Sequence, residues 1–128
     1  MKFAYTIIYV PNVEASLSFF ERAFGFKRRF LHESGTYGEL ITGETTLAFA
    51  DQQLADQHFT DGVVIAQTSA RPLGIEVAFV SDQVVADHQH ALQAGATEYA
   101  APAQKPWGQT VSYLRCPDGT LVELCSAI

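Results

Sequence analysis

One unit of this sequence is written twice. A β-rich run ending at Tyr9-Val10-Pro11-Asn12 leads into a helix-patterned segment that stops at Gly25. A second, ending at Val80-Ser81-Asp82, leads into another that stops at Gly95. Asn12 and Gly25 thus recur as Asp82 and Gly95 at one common offset, and two copies of so long a unit exclude a solenoid of short repeats. A chain of 128 residues built this way makes one compact domain of two matched halves. Its functional site is expected between the halves, from inward-facing residues of both.

The local signals fill in each copy. Phe3, Tyr5, Ile7 and Tyr9 alternate with Ala4, Thr6, Ile8 and Val10, so the first strand carries bulky groups on both faces. Asn12 is a sound N-cap, Glu14 suits the positive end of a helix, and Gly25 suits a left-handed C-terminal position. Between them Val13, Leu17, Phe20 and Phe24 form one apolar stripe. Strand-like runs follow near 26–32, 37–42 and 45–50. Residues 51–73 read as a polar linker. The second copy opens at Ile75–Val80, with Asp82 expected to cap a weaker helix through Val85 and Leu92. Further strands are expected near 97–100, 109–115 and 120–125, the last two joined by the turn Pro117-Asp118-Gly119. The order is βαβββ, linker, βαβββ: module one about 1–50, linker about 51–73 and module two about 74–128 of a single domain.

Composition removes several function classes. The formal charge of −6 and the absence of a Lys/Arg stripe disfavour nucleic acid. No apolar run is long enough to span a bilayer, and the first residues have strand character, so no membrane partner and a cytoplasmic location are expected. Cys116 and Cys125 are expected as reduced thiols. His88 and His90 stand two apart on a helix and point in different directions; with His32 and His58 they are read as surface residues. No Ser/His/Asp or Cys/His set is recognisable, and the glycines end helices instead of opening a phosphate loop.

Three segments carry a resemblance to a known family: Val10 through Phe20 with Phe24-Gly25-Phe26, then Ala94-Gly95-Ala96, then Lys105-Pro106-Trp107-Gly108 followed by Pro117 through Leu124. Together they resemble the vicinal oxygen chelate superfamily of glyoxalases, bleomycin-resistance proteins and extradiol dioxygenases. The resemblance covers essentially the whole chain. It implies an α+β fold in which two βαβββ modules curl a mixed sheet around a cleft, and it implies a homodimer. It does not fix the function, because that scaffold hosts lyases, dioxygenases, epimerases and binding proteins.

The resemblance also implies four positions for a divalent metal, on the first, fourth, fifth and eighth strands. Here they fall on Tyr5, within Leu47-Ala48-Phe49-Ala50, on Glu76 and on Glu123. The second of these offers no donor, and a tyrosine is a weak ligand near neutral pH. No metal or other cofactor is therefore expected; were one present (Ni, Zn, Mn or Mg), Glu76 and Glu123 would hold it.

By alternation Tyr5, Ile7 and Tyr9 share one face, and Glu76, Ala78 and Val80 another, with Glu123 beside Leu121 and Cys125. Trp107 is a candidate wall or lid. An aromatic cleft with two carboxylates suits a flat, partly cationic small molecule. The reading is metal-independent binding by sequestration, as in bleomycin resistance, with Tyr5, Ile7, Tyr9 and Trp107 as ligand contacts. The alternative is a glyoxalase-like, metal-dependent lyase or isomerase similar to lactoylglutathione lyase. It uses Glu76 and Glu123 as catalytic residues with a divalent ion; an acid–base enzyme without metal is a separate reading, in which the closeness of like charges keeps one of the two carboxyls protonated.

Overall fold

The computed structural model describes all residues, 1–128. Its first half runs β1 (Tyr5–Val10), α1 (Val13–Phe24), β2 (Lys27–Leu31), β3 (Tyr37–Ile41) and β4 (Thr46–Asp51). Its second runs β5 (Glu76–Val80), α3 (Val84–Ala94), β6 (Thr97–Gln104), β7 (Thr110–Arg115) and β8 (Leu121–Cys125). The eight strands make two four-stranded mixed sheets of matching order, β1-β4-β3-β2 and β5-β8-β7-β6. In each, the first strand (β1 or β5) lies at one edge and runs parallel to its neighbour, and the remaining pairs are antiparallel. This is the α+β architecture of paired βαβββ modules.

Helix α1 forms where its signals stand. The Asn12 side chain accepts from the Ala15 amide at 2.9 Å, which satisfies a donor with no partner inside the helix. Gly25 closes it at φ 74°, a conformation that costs residues with a Cβ. The second helix starts differently from its sequence reading. Asp82 does not cap it; Gln83 occupies that position without a side-chain bond. The hydroxyl of Ser81 instead accepts from the Gln83 amide at 2.9 Å and donates to Asp87, so a serine one residue earlier does the work expected of Asp82. The linker is also more ordered than its polarity suggests: α2 (Gln52–His58), capped by Asp51, and a 3-10 turn at Ala66–Thr68 lie within it.

The halves share one core. Phe20 of α1 packs on Phe49 of its own sheet, with ring centroids 5.0 Å apart. Phe20 and Phe24 also meet Phe79, which belongs to β5 of the other half. The buried cluster runs on from Val10, Leu17 and Leu40 to Leu114, Val122 and Leu124. Both helices therefore lie between the two sheets, in contact with each other, and each sheet turns its remaining face outward. A polar tie reinforces the seam: buried Ser16 on α1 donates to Asp118 in the β7–β8 turn at 2.7 Å.

Candidate functional site

Cross-strand register decides which residues share a face. Tyr5, Ile7 and Tyr9 pair with Thr46, Ala48 and Ala50, and these with Tyr37 and Glu39. All stand on the open face of the first sheet, where Tyr5 and Ile7 are about half exposed (52% and 46%). On the second sheet Glu76 and Ala78 pair with Leu121 and Glu123, and Glu123 pairs with Tyr113. Glu76, Tyr113, Glu123 and Cys125 thus share the open face of the second sheet.

The structure brings Glu76 and Glu123 together and leaves Tyr5, Ile7 and Tyr9 on the other sheet, with the helices in between. Burial and the hydrogen-bonding carboxylate of Glu123 push the Glu76 pKa above its ordinary value. Burial first, and Glu123 second, also raise the pKa of Tyr113 and Cys125 on either side. Glu76 consequently keeps its proton to higher pH than an isolated carboxyl.

The first sheet has a charged centre at Glu39. Glu39 is almost wholly buried; its carboxylate accepts from the Tyr37 hydroxyl at 2.9 Å and lies 3.5 Å from the Arg29 guanidinium. The Tyr37 phenol is pushed up to about 12, chiefly by burial, then by its bond to Glu39. Phe59, beyond α2, meets Tyr9 edge-on with centroids 6.2 Å apart and lengthens the aromatic surface. Period-two alternation could have found Tyr37 and Glu39 together, but no local signal places Phe59 beside Tyr9. Trp107 stands at the tip of the β6–β7 connection, 64% exposed, its indole donating to Gln109 at 2.8 Å.

The donor set for a metal does not fit. Ile7 pairs with Ala48 as Ala78 pairs with Glu123, so the fourth-strand position is Ala48, whose methyl coordinates nothing. The nearest carboxylate on that sheet, Glu39, is already engaged by Tyr37 and Arg29.

His88 is not a surface residue. It is wholly buried in α3, with Nδ1 2.9 Å from the Ser112 hydroxyl and Nε2 2.8 Å from the Glu98 carboxylate. A Ser–His–Glu chain therefore exists although the sequence spacing gave no hint of it. Ser112 is itself wholly buried, so no substrate reaches its hydroxyl. Arg28 pairs with Glu14 and Glu21 of α1, both at 2.7 Å. Both cysteines are free and buried. No helix is long and apolar enough to cross a membrane.

A family model described as the glyoxalase-like domain matches residues 3–128. No curated protein matches the chain. Among solved structures, a glyoxalase/bleomycin resistance protein/dioxygenase family enzyme from Burkholderia phytofirmans PsJN is similar at 18% identity and TM-score 0.85, with 100% of both chains covered. A glyoxalase-related enzyme from Fulvimarina pelagi is similar at 20% identity and TM-score 0.81, covering 99% of this chain and 88% of that one. A glyoxalase/bleomycin resistance protein/dioxygenase from Nocardioides gives 19% identity and TM-score 0.75, with 100% and 84% covered. At these identities the likeness establishes the fold alone.

Proposed function

The chain belongs to the glyoxalase-like domain family of the vicinal oxygen chelate superfamily, and from that premise we propose that it captures a small aromatic, partly cationic molecule without a metal ion. The observation that carries this reading is the Glu76–Glu123 pair on an open sheet face, combined with Ala48 where a fourth donor would be needed. Two adjacent carboxyls sharing a face attract a cation, and Tyr113 beside them offers a ring to stack on.

The working form in this proposal is a homodimer, in which the aromatic open face of one protomer meets the carboxylate-bearing open face of its partner. The exposure of Tyr5, Ile7, Ile41, Val80 and Tyr99 supports it, since so much apolar surface on a small chain needs a cover. That pairing would bring Tyr5, Ile7 and Tyr9 opposite Glu76 and Glu123, with sequestration as the result. Two free thiols suit a reducing, cytoplasmic setting.

A second reading has one observation in its favour. The raised pKa of Glu76 next to Glu123 is what an acid–base pair needs, so a lyase or isomerase could use one carboxyl to deliver a proton and the other to remove one.

The deciding experiment follows Trp107 fluorescence and the thermal midpoint with a panel of aromatic cations (acridinium and quinolinium dyes) and, separately, with Ni, Zn, Mn and Mg. The proposal expects dye-dependent quenching and stabilisation that weaken in Glu123→Gln, with no response to the ions. An ion-specific stabilisation with stoichiometric metal, lost in Glu123→Gln, would replace sequestration by the metal-dependent lyase.

A further inference from the structure

Between them the two modules leave an open cavity of about 300 Å³, on the helix side of the sheets, where the end of α1 meets α3. Its floor is Phe24 and Phe26, on either side of Gly25, together with Phe79 of β5. The Phe79 ring meets the other two edge-on, with centroids 5.3 and 4.8 Å away. Asp87 and His90 of α3 form a polar rim. None of Glu76, Tyr113 and Glu123 lines this cavity, because Phe79 and Leu124 alternate to the opposite side of their strands.

The rim offers acceptors without donors to match them. Ser81 accepts from the Gln83 amide at 2.9 Å and donates to Oδ2 of Asp87, which holds that carboxylate in one orientation. This is the only side-chain bond that Asp87 makes, so its Oδ1 is free. His90 stands on the next turn of α3, with Nε2 2.7 Å from the Arg22 carbonyl at the end of α1. A carbonyl only accepts, so Nε2 carries the hydrogen, and the neutral ring keeps Nδ1 as a second free acceptor. Arg22, the one cation at the rim, is exposed and joins no ion pair with Asp87.

We propose that this cavity binds a small primary amine with an aromatic end, the ring on the phenylalanine floor and the ammonium at Asp87 and His90. Phenylalanine rings favour an aromatic guest packed edge-on, and a carboxylate is the strongest acceptor a protein offers an ammonium. A volume of about 300 Å³ stands at the small end of ligand cavities and has room for one ring and a short chain. The site is complete in one protomer and lies across the sheets from Glu76 and Glu123. It therefore stands whether or not the open face captures anything.

The test is a titration of isotopically labelled protein with phenethylamine, followed by amide chemical shifts, with 2-phenylethanol and 3-phenylpropanoate as the neutral and anionic matches. Saturable shifts confined to Ala23–Phe26, Phe79–Ser81 and Asp87–Ala91 are expected. The amine should bind about tenfold tighter than the alcohol, and the anion most weakly. Asp87→Asn keeps an oxygen for Ser81; it should bring the amine down to the alcohol and leave the alcohol unchanged. His90→Lys, at an exposed position, should do the same by setting a cation one turn from Asp87, and covers the case in which Asp87→Asn does not fold. Glu123→Gln should change none of this. Equal binding of the three probes, tightest binding by the anion, or amine binding that survives both variants overturns the proposal. So do shifts that fall on Glu76, Tyr113 and Glu123 and vanish in Glu123→Gln, which would assign the amine to the open face.

Discussion

The imidazole Nδ1 of His88 and the hydroxyl of Ser112 lie 2.9 Å apart, both side chains wholly out of solvent. The bond joins α3 to β7, and Glu98 of β6 closes it from the other ring nitrogen. With Glu98 accepting from Nε2, a neutral ring uses Nδ1 to accept from Ser112, and every group in the chain is satisfied. Ser112→Ala is expected to cost about 1–3 kcal/mol because Nδ1 is left buried and unpaired. Urea denaturation of the variant measures it, and a loss within error of zero would mean the pair carries no stability.

Gly119 and Gly35 separate two costs of adding a methyl group. Both have positive φ, 89° and 72°, but only Gly119 faces backbone; Gly35 faces open space. Gly35→Ala should cost about 1 kcal/mol, for conformation alone. Gly119→Ala should cost roughly 2–4 kcal/mol, since overpacking against the linker adds to it. Equal thermal midpoints for the two variants would show that the turn moves freely off Ala66.

The Tyr37 phenol should titrate at about 12. Removing the charge in Glu39→Gln should bring it down toward its ordinary 10.0. Absorbance of tyrosinate against pH reads both. An unchanged high value in the variant would assign the whole effect to burial.

Glu76 makes the fold weaker as pH rises. Its folded pKa lies above the ordinary 4.5, so its contribution is fully present below that value and is lost as pH climbs through the folded value. The effect is small, since solvent reaches the side chain. Glu76→Gln should flatten the fall in stability just above pH 4.5, as seen in a series of thermal midpoints. A slope as steep in Glu76→Gln as in the wild type would place the responsible group elsewhere.

Ile7→Asp puts a charge at the centre of the first sheet's open face, where Ile7 is 46% exposed. The chain should still fold, because its core lies on the opposite face, and the proposed dimer should dissociate. Sedimentation of wild type and variant decides this. A wild type that is monomeric at high concentration would remove the proposed pairing.

The sequence was most readable where the controlling interactions are local. Asn12 and Gly25 bound α1 through bonds to residues three or four positions away, and the turn at Pro117-Asp118-Gly119 needs only its own dihedrals. Glu123 and Glu76 share a face because of strand register, which the repeat made accessible. What failed was non-local. His88 looks exposed until Ser112 and Glu98, from two other strands, are seen to satisfy its ring. Asp82 looks like a cap until Ser81 is found bonded to the Gln83 amide. The alternation of β1 gave its two faces but not which of them the helices would cover, so the separation of Tyr5 from Glu76 could not be read from it.

The shared core has a bearing on how such a chain could arise. Phe79 completes the packing of Phe20 and Phe24 from the other half, so neither half owns a closed interior. Expressed alone, either half would be one sheet with one helix against it, the helix's far apolar side uncovered, and would persist only by recruiting a twin. Joining two such halves through the linker turns an encounter between molecules into an encounter within one, at an effective concentration that dilution cannot lower. Holding two such halves in one chain makes their pairing permanent.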